Sequence, residues 1–273
     1  MIAEQSAATS PVCLGLTHGK PQLQLQFGHA SSAVPGKTNE DFYGIVTGHE
    51  ERDARTRGIA VAIADGVSGS GGGRLASETT VRSLLHDFYG APVRWNFAAT
   101  IDKLLRSIND WLSAENARNP EREGVVTTLT MMLFNGNNYY LAHVGDSRAY
   151  RRRGRVMKQL TIDHTWQRGD MRHVLKRAVG LDTHLVVDCT DGELMPGDVF
   201  VMASDGVWEV LGERVMREVL GAGSDAQTIA DTQAALDAAA ADTQAQIDRL
   251  NEAFPAPVVE PPPVEEPPVD PPQ

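Results

Sequence analysis

Acidic residues beside glycine or at the ends of apolar runs recur at four places. They are Asn39-Glu40-Asp41, Asp65-Gly66, Gly145-Asp146-Ser147-Arg148 and Ser204-Asp205-Gly206. Each one alone reads as an Asx turn closing a hairpin, because Asp and Gly are ordinary turn residues. Spread from residue 39 to residue 206 with no matching cationic cluster, they carry a second reading. Carboxylates that converge repel one another and need cations among them to stay ionised together. Carboxylate oxygens are hard ligands suited to Mg²⁺ or Mn²⁺, and no His/Cys set argues for zinc.

Short strands and long helices must position these acids. Ile59-Ala60-Val61-Ala62-Ile63-Ala64 is an apolar run ending at Asp65-Gly66, a buried strand feeding a turn. Val81, Leu84, Leu85 and Phe88 mark one face of a helix, and Ile101, Leu104, Leu105, Ile108 and Leu112 mark a second. Strands are predicted over Val126 to Phe134, Tyr139 to Val144 and Val199 to Ala203. The first two are joined by the hairpin signal Asn135-Gly136-Asn137-Asn138. Strands meeting at hairpins, with two helices inserted together, predict an α+β layered domain with a largely antiparallel sheet.

The 273 residues carry a net charge of −11, which argues against nucleic acid or an anionic membrane as partner. Cys13 and Cys189 are too few for a disulfide framework or a zinc cluster. No basic run precedes an apolar core near Met1, and no apolar stretch approaches the roughly 20 residues of a membrane span. A soluble, cytoplasmic protein is expected. Residues 1–22 read as a flexible lead-in, 23–250 as the folded domain, and 251–273 as a disordered tail rich in Pro and acids. The Ala-rich stretch 225–250 has helical propensity.

Six fragments in order resemble the PPM, or type 2C, family of protein phosphatases. They are Asn39-Glu40-Asp41-Phe42-Tyr43-Gly44, Ala64-Asp65-Gly66-Val67-Ser68-Gly69, Gly145-Asp146-Ser147-Arg148-Ala149-Tyr150, Leu160-Thr161-Ile162-Asp163-His164-Thr165, Ala178-Val179-Gly180, and the run from Gly197 to Trp208. The resemblance is to the bacterial type, as in proteins that fuse such a domain to a kinase. It implies a four-layer αββα sandwich of two antiparallel sheets flanked by helix pairs, with a metal cleft at one end. It implies hydrolysis of phosphoserine and phosphothreonine on proteins by a hydroxide bridging two Mn²⁺ or Mg²⁺ ions. Asp65 would bridge both metals, Gly66 would lend its carbonyl, and Glu40 or Asp41 with Asp205 would complete the shell. Asp146 would sit beside a third ion, and a Ser/Thr protein kinase or its targets are the implied partners.

Three positions depart from the family pattern. Where a phosphate-gripping Arg is usual stands Gly36, and the adjacent Lys37 could supply that charge. A His that follows Asp-Gly in some members is here Val67, which leaves water to protonate the leaving group. The closing Asp-Asn is missing, and Asp242 is the candidate for that last ligand. Loss of that ligand would suit another class of function, a catalytically impaired module that binds phosphoproteins or regulates. Among weaker signals, Gly36-Lys37-Thr38 lacks the spacing of a P-loop. The glycine-dense Gly69 to Gly73, leading into Arg74, reads as a loop with some capacity to cradle phosphate. His164 is expected to be structural, Trp166 and Trp208 to pack, and Arg151-Arg152-Arg153 to form a solvated hairpin turn.

Overall fold

The computed structural model describes residues 12–13, 24–33, 38–46, 57–67, 72–92, 96–118, 124–166 and 174–221. A five-stranded antiparallel sheet lies at its centre. It is built from β3 (Phe42–Val46), β4 (Ile59–Ala64), β7 (Leu129–Asn135), β8 (Asn138–Val144) and β11 (Asp188–Glu193), in the order β11-β8-β7-β4-β3. A second sheet, β10-β9-β12, contains β9 (Arg148–Arg153), β10 (Val156–Gln159) and β12 (Val199–Ala203). Two short pairs, β1 (Val12–Cys13) with β2 (Gln24–Leu25) and β5 (Gly66–Val67) with β6 (Val126–Thr127), complete the strands. The helices are α1 (Gly72–Gly90), α2 (Phe97–Arg118) and α3 (Asp205–Gly221).

Three apolar clusters fill the spaces between four layers. Alternation along the strands sends Ala60, Ala62, Ala64, Leu129, Met131 and Leu133 toward α1 and α2. There they meet Val81, Leu84, Leu85, Ile101, Leu105 and Leu112. The opposite face, Ile59, Met132, Phe134, Tyr139 and Leu141, packs on Ala149, Phe200 and Met202 of the second sheet. Tyr150 then meets Leu211 and Met216 of α3 on the far side. Strands covered on both faces need apolar residues at every position, which is why Ile59 to Ala64 shows no alternation. The fold is α+β with two antiparallel sheets between helical layers, as expected. Among the described residues the outer layer beyond the second sheet is α3.

Local chemistry sets the element ends. Asn96 caps α2, its side chain accepting the Ala99 N–H at 2.7 Å. Arg57 covers the C-terminal end of α1 by donating to the carbonyls of Phe88 and Ala91. Gly136 takes φ +58 in the two-residue turn between β7 and β8, a conformation open to glycine without strain. The structure corrects one expectation. Arg151, Arg152 and Arg153 lie within β9 and not in a turn, because the chain reverses one residue later at Gly154, where φ is +58. Arg153 forks onto Asp198 with both contacts at 2.7 Å. Residues 225–250, with the helical pattern, and the tail 251–273 lie outside the described residues. No helix among the described residues is long and apolar enough to cross a membrane.

Candidate metal-binding and active site

Strand register brings the first two acids together. Phe42 of β3 pairs with Ala64 of β4, so Asp41, one residue before β3, faces Asp65, one residue after β4. Asp65 is pinned through its main chain. Its N–H donates to Thr128 Oγ1, and its carbonyl accepts from the Thr128 N–H and from Thr127 Oγ1, each at 2.9 Å. Asp205 arrives from the other sheet as the first residue of α3. Ser204, at the cap position of that helix, donates its hydroxyl to Asp41 Oδ2 at 2.8 Å. Asp65 thereby stands between Asp41 and Asp205, close enough for the charges of both to act on its carboxyl.

Crowding and burial dominate the electrostatics. Burial, followed by the charges of Asp41 and Asp205, pushes the Asp65 carboxyl up to about 10. Burial also raises Asp41, against the hydrogen bonds of Ser204 and Asp65 and the charge of Arg74. Arg74, in the first turn of α1, donates to the Asp41 carbonyl at 2.5 Å. Asp146 lies in the β8–β9 turn and is pushed up to about 7, first by burial and then by the Asp205 charge. Carboxylates crowded this closely are ionised together only when positive charge is placed among them. Among the described residues no three His, Cys, Asp or Glu side chains form a ready-made metal cage. The acids instead act on one another through Asp65, whose carboxyl feels the charges of both Asp41 and Asp205. Their oxygens match the donor set of Mg²⁺ or Mn²⁺, and their electrostatics favour a cation, so the residues present fit such ions.

Glu40 and Gly66 join the site through the backbone. The Glu40 carbonyl accepts the Gly66 N–H at 3.2 Å and Ser77 Oγ at 2.5 Å. Gly66 and Gly73 touch backbone to backbone: a Cβ on Gly73 would stand 2.6 Å from the Gly66 carbonyl carbon and 3.0 Å from the Glu40 carboxyl carbon. Gly73→Ala should therefore displace the Asp65-Gly66 turn, destabilising the protein by about 1–3 kcal/mol and lowering Mn²⁺ affinity. Thermal melts with and without Mn²⁺ check this, and unchanged values in both would refute it.

Lys37 and Asp242, expected at the site, lie outside the described residues, as do Gly69 to Gly71. Val67, following Asp65-Gly66, is exposed and carries no proton to donate. His164 is structural, as expected. Its Nδ1 accepts the Gly145 N–H at 3.1 Å, which places the proton on Nε2, 3.0 Å from Asp188. Sequence reasoning missed Thr127, Thr128 and Ser204, which hold the acids by hydrogen bonds across the chain, and nothing in their local pattern signals that role. It also assigned Trp208 to packing alone, whereas the Trp208 Nε1–H donates to the Asp146 carbonyl at 3.0 Å.

The protein phosphatase 2C family model matches residues 30–248. The chain belongs to the protein phosphatase 2C family. Within it, the chain is 30% identical over 193 residues to the serine/threonine protein phosphatase PstP of Mycobacterium tuberculosis, covering 65% of this chain. The match spans 37% of the length of that relative. A second relative, the serine/threonine phosphatase stp of Listeria monocytogenes, is 29% identical over 201 residues, 67% of this chain and 77% of its own. The crystal structure of the PstP catalytic domain in complex with two manganese ions superposes with a TM-score of 0.62 at 25% identity. It covers 86% of this chain and 92% of that one. The family match continues past α3 through residue 248, a stretch that includes Asp242.

Proposed function

We propose that this chain is a protein serine/threonine phosphatase that hydrolyses phosphoserine and phosphothreonine monoesters with Mn²⁺ or Mg²⁺. The observation that carries the proposal is Asp65 held between Asp41 and Asp205 at the meeting of the two sheets. The two-manganese complex of the PstP catalytic domain supports the same assignment. Asp65, Asp41 or Glu40, Asp205 and the Gly66 carbonyl are the groups that would hold the ions, with Asp65 central among them. Asp146 would serve a third ion, and Asp242 is the candidate for the last ligand. When bound, such cations supply an acidified water as nucleophile and neutralise the phosphoryl oxygens.

The chain's own residues then act by placement. Ser204 orients the Asp41 carboxylate, and Thr127 and Thr128 keep Asp65 at the junction. Lys37 is the candidate grip on the substrate phosphate, and solvent protonates the departing alkoxide because Val67 cannot. Monoester hydrolysis is slow enough to need accelerations of up to about 10²¹-fold, so dense charge stabilisation at phosphorus is required. The substrates are phosphorylated proteins, and the natural counterpart is a Ser/Thr protein kinase acting on the same targets.

The test is hydrolysis of p-nitrophenyl phosphate and of a phosphothreonine peptide, with Mn²⁺ and with chelator, alongside Asp205→Ala. Turnover that needs Mn²⁺ and falls at least about 10²-fold in the variant is expected. A well-folded protein inactive at millimolar Mn²⁺ would overturn the proposal and favour a module that only binds phosphoproteins.

A further inference from the structure

The Gly145-Asp146-Ser147 turn crosses from β8 in one sheet to β9 in the other, and its main chain is held at several points. His164 grips Gly145 twice, accepting its N–H at Nδ1 (3.1 Å) and donating its own N–H to the Gly145 carbonyl (2.7 Å). Thr130 Oγ1 donates to the Ser147 carbonyl at 3.2 Å, and Ser147 Oγ meets Thr128 Oγ1 at 2.9 Å. The Asp146 carbonyl is tied elsewhere, to the indole N–H of Trp208 at 3.0 Å. Trp208 lies in the first turn of α3, three residues after Asp205. That one bond links the peptide of Asp146 to the helix that presents Asp205.

The indole is itself fixed in place. The Arg148 guanidinium lies over the Trp208 ring, 3.3 Å from its centroid. Arg148 forks onto Asp163, with Nη2 at 2.6 Å and Nε at 3.0 Å, and reaches the Tyr150 hydroxyl at 3.3 Å. A ring that only filled space between the second sheet and α3 would need its apolar area and not a stacked cation. Here the stack sets the ring plane, and the ring plane aims the N–H at one carbonyl.

We infer that Trp208 is a positioning residue that clasps the Asp146 turn to the Asp205 helix and so sets the spacing of the outer cation site. The inference rests on the proposed metal-dependent reading. The consequence concerns metal affinity more than fold. Trp208→Phe keeps an aromatic face for Arg148 but removes the N–H, so the Asp146 carbonyl loses its tie to the Asp205 helix while His164 and Thr130 still hold the flanking residues.

The experiment is calorimetric titration of the full chain with Mn²⁺, wild type against Trp208→Phe, with melts in chelator. The expected result is an about fivefold weaker outermost Mn²⁺ site, the size of one lost hydrogen bond, with the tighter sites and the chelated melting temperature nearly unchanged. A lower chelated melting temperature with every Mn²⁺ affinity intact would overturn the inference and leave Trp208 a packing residue. Should the variant fail to fold, indole ¹⁵N–¹H spectra of the wild type during Mg²⁺ titration decide the matter. The Trp208 resonance should shift with the midpoint of the weakest site while those of Trp111 and Trp166 stay still, and a static Trp208 signal overturns the inference. A wild type that binds Mn²⁺ but hydrolyses neither substrate refutes the phosphatase assignment and leaves the clasp standing. A wild type that binds no Mn²⁺ overturns both.

Discussion

Asp65→Asn is expected to lower metal-dependent hydrolysis by on the order of 10³-fold or more while making the chelated protein more stable at neutral pH. Both effects follow from the same geometry. Asp65 sits between Asp41 and Asp205 and is held there by Thr127 and Thr128. Asparagine has nearly the same shape but no charge, so cations lose the ligand proposed to be shared between them. In chelator the native Asp65, with its carboxyl pushed up to about 10, must be held protonated at pH 7. Each pH unit of such a shift costs about 1.4 kcal/mol, so removing the titratable group relieves a penalty of several kcal/mol at most. Steady-state kinetics with Mn²⁺ and calorimetric melts in chelator provide the check. A variant that keeps more than a tenth of wild-type activity would remove Asp65 from the centre of the chemistry.

The second large effect is an inverted pH dependence in chelator. An acid whose folded pKa is raised binds more protons folded than unfolded, so stability falls as pH rises between its unfolded and folded values. Asp65, Asp41 and Asp146 are all raised. Two imidazoles oppose them between about pH 4 and 7. His143, lowered to about 4, and His164, also lowered, are buried neutral, and their contribution grows as pH rises toward 6.5. From about pH 7 the unfolded imidazoles are mostly neutral as well, and the raised acids dominate.

Between about pH 7 and 8.5 the chelated protein should lose roughly 1.4 kcal/mol per pH unit, the effect of one proton held by Asp65. Saturating Mn²⁺ prefers the ionised acids and should flatten or reverse that slope, adding about 2.7 kcal/mol at a concentration 100 times its Kd. Asp65→Asn should remove most of the slope even in chelator. Denaturant or thermal unfolding at pH 7, 7.5, 8 and 8.5 reads all three. A chelated wild type that gains stability across that range would contradict the arrangement of the acids.

Much of the scaffold was legible because its cause is local. The apolar run Ile59 to Ala64, the helical spacing of Val81 to Phe88 and Ile101 to Leu112, and the turn at Gly136 all appear as read. The polar strands were not legible. Asp188–Glu193 is an exposed edge strand, so it has little apolar pattern to betray it. Arg151 to Arg153 were misassigned because arginine-rich runs usually face solvent, whereas here the sheet enlists their backbone and Asp198 takes up the Arg153 charge. Helix α3 escaped notice because Gly206 stands in its first turn and Gly212, at φ 64, breaks it.

The acids divide along the same line. The sequence by itself determined which side chains could hold hard cations and that Asp65 and Asp205 each follow closely on an apolar strand, since those properties belong to single residues and short runs. Family membership was legible for the same reason, through short motifs in order. The tertiary structure alone decided that Asp41 faces Asp65, through the pairing of Phe42 with Ala64, and that Ser204, 163 residues away in sequence, holds the Asp41 carboxylate. It alone placed the Trp208 indole on the Asp146 carbonyl. Strand register and layer packing are set by the burial of whole faces, so contacts between distant positions exist only once those faces have closed on one another.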